Sequence, residues 1–140
     1  ATVTVVSSLT ITPQTLKLPV FSTATFSSTL GTAPYSYSIF SGTGSVVAGT
    51  GVYTGGVSAG TDIVQSTDAG MNTSNATVTL IEPVQIVAGS THYCVRYNEG
   101  SVKCWGLNSS GQLGYGDTVA RGDTVNESGS NLPFVNLGTG

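Results

Sequence analysis

Ala76-Thr-Val-Thr-Leu-Ile81 alternates apolar and hydroxyl side chains, the period-two pattern of a strand with one face buried and the other in water. The same alternation runs upstream through Thr2 to Val6, Leu9 to Thr12, Thr15 to Val20, Ala24 to Leu30, Tyr35 to Phe40, Val46 to Ala48 and Thr61 to Ser66. Helix signals are nearly absent, since Gly or Pro interrupts almost every stretch that could hold apolar positions at helical spacing. Short strands at this density predict an all-β fold and a sandwich. The inward set is expected to be Leu9, Ile11, Phe26, Tyr37, Ile39, Ile63, Val78 and Leu80. Each such side chain contributes roughly 1.5–3 kcal/mol on burial, enough together to hold a small sandwich without a disulfide.

Composition removes whole classes of partner. Only four Lys plus Arg and seven Asp plus Glu occur in 140 residues, 8% charged, against an ordinary share of about 25%. The net charge is -3, and Lys17, Arg96, Lys103 and Arg121 form no run, so nucleic acid is not an expected partner. Apolar stretches such as Val84 to Ala88 are far short of the ~20 residues that span a bilayer, so no membrane insertion is expected. The sequence begins at Ala1 without a charged-then-apolar leader, which is expected to have been removed or never included. Two cysteines at hairpin spacing, low charge and abundant Ser and Thr favour an extracellular or cell-surface location.

Residues 1 to 82 carry Leu9-Thr-Ile-Thr-Pro13, Ala24-Thr-Phe26, Gly31-Thr-Ala-Pro-Tyr35-Ser-Tyr37, Gly42-Thr-Gly44, Gly51-Val-Tyr53 and Ala76-Thr-Val78-Thr-Leu80. Together these resemble the bacterial immunoglobulin-like domains found in tandem on surface adhesins and large secreted proteins. From residue 83 to 140 the pattern changes. Ala88-Gly89, His92, Cys104-Trp105-Gly106-Leu-Asn108 and Gly111-Gln-Leu-Gly114 resemble one repeat of the regulator of chromosome condensation family. That resemblance implies a β-propeller-type blade, with Asn131 to Leu137 as the strand that closes the repeat and His92 in a structural role. A lone blade leaves open edges, so either a longer chain or neighbouring copies are expected to complete it.

Cys94 and Cys104 are symmetric about Glu99, with Asn98-Glu99-Gly100 as a three-residue hairpin loop, and are expected to form a disulfide across two strands. Closing a loop of about eleven residues stabilises by on the order of 3 kcal/mol in the chain-entropy account. A zinc or redox pair is the alternative, but two Cys and one His are too few ligands and no Cys-x-x-Cys occurs. The single histidine and scattered carboxylates Asp62, Asp68, Glu82, Glu99, Asp117, Asp123 and Glu127 nominate no catalytic, metal or cofactor site. Trp105 is expected to pack over the disulfide, with sugar stacking as the alternative if it is exposed. Arg121-Gly122-Asp123 spells an adhesive tripeptide, although a structural role for its arginine accounts for it. Asn72, Asn75, Asn108 and Asn126 open glycan-acceptor motifs, and the hydroxyl richness leaves O-glycans open as well.

The expected function is therefore a non-enzymatic extracellular structural or adhesive protein that contacts other protein chains, or copies of itself, through the propeller-type repeat. The alternatives are a self-assembling filament or surface-layer subunit using blade-edge or strand exchange, and an accessory region of a larger secreted enzyme.

Overall fold

In a computed structural model that describes residues 8–138, the hydroxyl-rich alternation becomes β-strands, with no α-helix among the described residues. The strands are β1 (Thr10–Thr12), β2 (Thr15–Pro19), β3 (Thr23–Thr25), β4 (Ser27–Thr29), β5 (Ser36–Ser41), β6 (Ser45–Val46), β7 (Val52–Thr54), β8 (Gly60–Thr67) and β9 (Thr73–Ile81), followed by β10 (Pro83–Ala88), β11 (His92–Tyr97) and β12 (Val102–Gly106). The chain is all-β, and its contacts separate two units divided between Ile81 and Glu82. Thr2 to Val6, expected as a strand, lies outside the described residues.

In the first unit one sheet has the order β2-β9-β8-β5. β2 runs parallel to β9, with Leu16 opposite Val78 and Leu18 opposite Leu80, while β8 is antiparallel to both β9 and β5. The unit's other strands form a pair, β1-β4, and a three-stranded sheet, β3-β7-β6. The core draws on all three sheets: Ile11, Leu18, Phe26, Tyr37, Tyr53, Val64, Val78 and Leu80 pack in one buried cluster. Phe26 and Tyr53 meet edge to face with ring centroids 6.0 Å apart, the arrangement the ring quadrupoles favour.

Several expected elements are corrected. The run Ala24 to Leu30 is two strands, β3 and β4, because Phe26 turns its N–H to Gly51 O at 2.9 Å while its ring enters the core. Val46 to Ala48 is strand only at its start, since Val47 begins a tight turn in which Gly51 N–H returns to Val47 O at 2.9 Å. That turn feeds β7. Gly51 sits at φ +69, and a side chain there would strike the Phe26 carbonyl, so only glycine fits.

The largest correction is on β8. Ile63 was expected to point inward, but the buried face carries Asp62, Val64 and Ser66 and leaves Ile63 half-buried. Polarity misleads here because both polar groups are paired inside. Asp62 Oδ1 accepts Thr43 N–H at 2.9 Å, and Oδ2 accepts Gly44 N–H at 2.8 Å and the Tyr53 hydroxyl at 2.6 Å. Ser66 Oγ meets Ser28 Oγ at 2.6 Å. A buried polar atom with partners costs little, so periodicity of polarity and of burial part company at this strand. Burial, then the Asp62 contact, pushes the Tyr53 phenol above its ordinary pKa, so it remains the donor in that bond.

Tyr53→Phe keeps the ring but removes a donor to a buried carboxylate. It is expected to lower unfolding free energy by about 1–3 kcal/mol, read from urea denaturation of the whole chain.

A second carboxylate ties the loop after β8. Asp68 accepts Thr32 N–H at 2.9 Å, Asn72 N–H at 2.8 Å and the Asn72 side-chain amide. The Asn72 amide, then Thr32 N–H, holds its carboxyl below the ordinary value of 3.8. A depressed carboxyl adds stability above its unfolded-state pKa and loses it as pH falls through the folded value. Stability should therefore decline in acid, and Asp68→Asn should be less stable at neutral pH with a shallower acid decline, as measured by denaturant midpoints across a pH series.

Candidate functional site

The second unit is a three-stranded antiparallel sheet, β10-β11-β12. Tyr97 N–H reaches Ser101 O at 2.9 Å, closing the loop Asn98-Glu99-Gly100, and Gly100 takes φ +96 as a hairpin bulge requires. Three residues further along each strand from the Tyr97–Ser101 pair, Cys94 comes opposite Cys104, and they form the disulfide.

Pairing fixes what each face carries. Tyr93 is opposite Trp105 and Val95 opposite Lys103, with Ile86 and Ala88 of β10 alongside Val95 and Tyr93. Successive residues of a strand point to opposite faces, so Trp105 cannot cover the disulfide formed by its neighbour Cys104. Instead it stacks on Tyr93, with ring centroids 5.9 Å apart and planes 21° apart, and is half-buried. That corrects the expected packing of Trp105. His92 is half-buried above Gly89, whose missing side chain leaves the space the imidazole occupies.

The outer edge of β12 is covered by the chain that follows it. Gly106 exchanges backbone hydrogen bonds with Arg121 at 2.8 and 3.2 Å, the Tyr115 hydroxyl lies 3.0 Å from both N and O of Cys104, and Val135 N–H reaches Val102 O at 2.8 Å. Asn131 to Leu137 was expected to be a closing strand. It forms no strand: Gly129–Asn131 is a 3-10 turn, and besides the Val135–Val102 bond the tail packs by side chains, with Leu132 buried and Phe134 meeting Tyr97 edge to face at 5.9 Å.

Asn108 holds that covering segment in place. It is fully buried; its Nδ2 donates to Asp117 O, Asp117 Oδ1 and Val119 O at 3.0–3.1 Å, and its Oδ1 accepts Leu113 N–H at 2.9 Å. Of the four glycan-acceptor asparagines this one is closed in the folded chain, whereas Asn72, Asn75 and Asn126 are exposed. Arg121 is equally engaged, 2.7 Å from Asp117 Oδ2 and over the Tyr115 ring at 5.1 Å, so the Arg121-Gly122-Asp123 arginine serves the loop. Val119 N–H first, then Arg121, holds the Asp117 carboxyl below its ordinary value.

Between the sheet face and the tail lies a groove of about 480 Å³, walled by Val95, Tyr97, Trp105 and Leu132 and including Lys103 and Gly129. A second hollow of about 390 Å³ on β10 shares Pro83 and Val95 with it. Lys103 is only 3% exposed; its Nζ donates to Gly129 O at 2.9 Å and lies 4.7 Å from the Phe134 ring centroid. Burial draws its pKa below the ordinary 10.5.

Residues 84–112 match the family model described as the Regulator of chromosome condensation (RCC1) repeat. No curated protein matches the chain. The matched repeat spans β10, the stapled hairpin and Asn108, so the family pattern falls on the residues that build the sheet and cap its edge. Of the residues singled out from sequence, Cys94 and Cys104 meet, and His92 and Trp105 lie on opposite faces of the sheet. His92 does not line the groove. The sequence pattern assigns no site role to Lys103, one of its four cations, or to Tyr115. Alternation along Val102-Lys-Cys-Trp105 carries the signal for Lys103, because it places a lone cation on the face of Trp105.

Asn108→Ala should cost roughly 2–4 kcal/mol, since it strands the Leu113 N–H and frees two loop carbonyls at once. Hydrogen exchange should show the loss concentrated in Leu107 to Arg121.

Proposed function

We propose that this chain is an extracellular, non-enzymatic structural segment whose second unit makes protein–protein contacts, with the first unit as an immunoglobulin-like spacer. The observation that carries the contact role is β10. All six of its residues are exposed, Val84, Ile86 and Val87 at 50%, 65% and 52%, and it is the edge strand of its sheet, while the opposite edge is covered by the unit's own chain. An exposed apolar strand edge is a template for pairing with another strand, and repeats of this kind bury such surfaces against a neighbour. The disulfide supports an oxidising compartment.

The spacer reading draws on strand order. β9-β8-β5 corresponds to the G-F-C strands of an immunoglobulin sandwich, and β1-β4 with β3-β7-β6 to A-B-E-D if β3 and β4 are halves of one strand interrupted at Phe26. A second reading, a filament or surface-layer subunit, uses the same β10 edge between copies.

Sedimentation of the whole chain over a concentration series, combined with hydrogen exchange, tests both. The expected result is association with increasing protection of β10 amides, weakened at least about tenfold by Ile86→Lys, which places a charge on the paired surface. Regular fibres in electron micrographs would favour the filament, and a monomer at the highest concentration would remove it. Association with unchanged β10 exchange would remove this edge as the contact.

A further inference from the structure

The groove beside the tail holds a cation without a counter-charge. Lys103 is nearly sealed from solvent, yet its three donor positions meet one carbonyl, Gly129 O, and one aromatic face, Phe134. No carboxylate among the described residues lies within ion-pair distance of it. Glu127, on the same groove, turns Oε2 to Gly122 N–H at 3.2 Å, so its carboxylate serves the loop. Buried ammonium groups are ordinarily paired, because an isolated charge in a low-dielectric site is costly. Next to this cation the walls are apolar and aromatic, and the adjoining hollow on β10 is lined by Val84, Ile86 and Val95.

We propose that this groove is a binding site for a segment of another protein chain that presents a carboxylate side chain next to an apolar residue, the carboxylate meeting Lys103 and the apolar side chain lying on Ile86 and Val95. Charge complementarity selects the first half of that chemistry. The second follows from the aliphatic surface beside Lys103 across the sheet, Val95 on β11 directly opposite it and the exposed Ile86 on β10 opposite Val95. Lowered Lys103 basicity fits the same site, since an arriving carboxylate would restore the charged form. This rests on the second unit being a protein-contacting module but uses the sheet face, where the edge contact uses the backbone of β10.

The test is a nuclear magnetic resonance titration of the whole chain with two blocked dipeptides, N-acetyl-Leu-Asp-amide and its uncharged isostere N-acetyl-Leu-Asn-amide, and with acetate alone. The aspartyl peptide is expected to shift Val95, Lys103, Gly129 and the Trp105 indole saturably, and to bind at least about tenfold more tightly than the asparaginyl peptide or acetate. Lys103→Met, similar in length and apolar, should bring the two peptides to equal affinity. Equal affinities on the unaltered chain, no saturable shift up to roughly 10 mM, or shifts elsewhere would overturn the site. Acetate matching the aspartyl peptide would overturn its apolar half. Since the peptide comparison needs no variant, it stands even if Lys103→Met fails to fold. Peptide binding by a chain that does not self-associate would leave this site intact and remove only the β10 edge contact between copies.

Discussion

Asn108 is the point on which the second unit's form depends. A short hairpin-based sheet has two edges, each with backbone groups that need partners or water. Here a single buried amide binds three oxygens and one N–H of the segment that follows, and so bends that segment back along β12. Gly106, Cys104 and Val102 then find partners in Arg121, Tyr115 and Val135 in turn. The groove at Lys103 is a by-product of that return path, since its far wall is the tail. The disulfide acts at a different level: it ties β11 to β12 at Cys104, whose backbone lies on the covered edge, and lines no part of the groove.

The first unit solves the same problem with a carboxylate. With so few charges in the sequence, Asp62 is an unexpected residue to find in a core, and it is tolerated because two loop N–H groups and the Tyr53 hydroxyl meet it there. Gly42, at φ +119, lets the loop approach, since any side chain at that position would collide with the carboxylate. In both units, then, one buried polar side chain organises a loop through hydrogen bonds to its backbone, to N–H groups at Asp62 and chiefly to carbonyls at Asn108. A charge-poor chain has few ion pairs with which to pin its loops, and these side-chain-to-backbone clusters take their place.

Much of this was legible in the sequence. The strands at Thr15, Tyr35, Thr61 and Ala76 follow from alternation of β-branched and hydroxyl residues, and the hairpin follows from the symmetry of the cysteines about Glu99. What alternation could not show is which face of β8 is buried, because Asp62 finds its partners 9 to 19 positions away in sequence and Ser66 finds its partner 38 away. Trp105 was misplaced by adjacency: nearness to Cys104 in sequence suggested nearness in space, while the pleat sends them apart. The tail departs from expectation for the opposite reason, as its apolar residues imitate a strand but anchor by burying Leu132 and setting the half-buried Phe134 against Tyr97.

The asymmetry of the two edges limits how the second unit can assemble. With β12 covered, strand addition between identical units has only β10 to use, and β10 against β10 is an isologous contact that closes after two copies. Open-ended growth requires two different complementary surfaces, and an edge alone provides one. A filament would therefore have to recruit the apolar sheet face around Ile86, Val95 and Trp105, or a surface of the first unit, as its second contact. One edge covered and one edge and face exposed is thus the asymmetry that any assembly of this unit has to use.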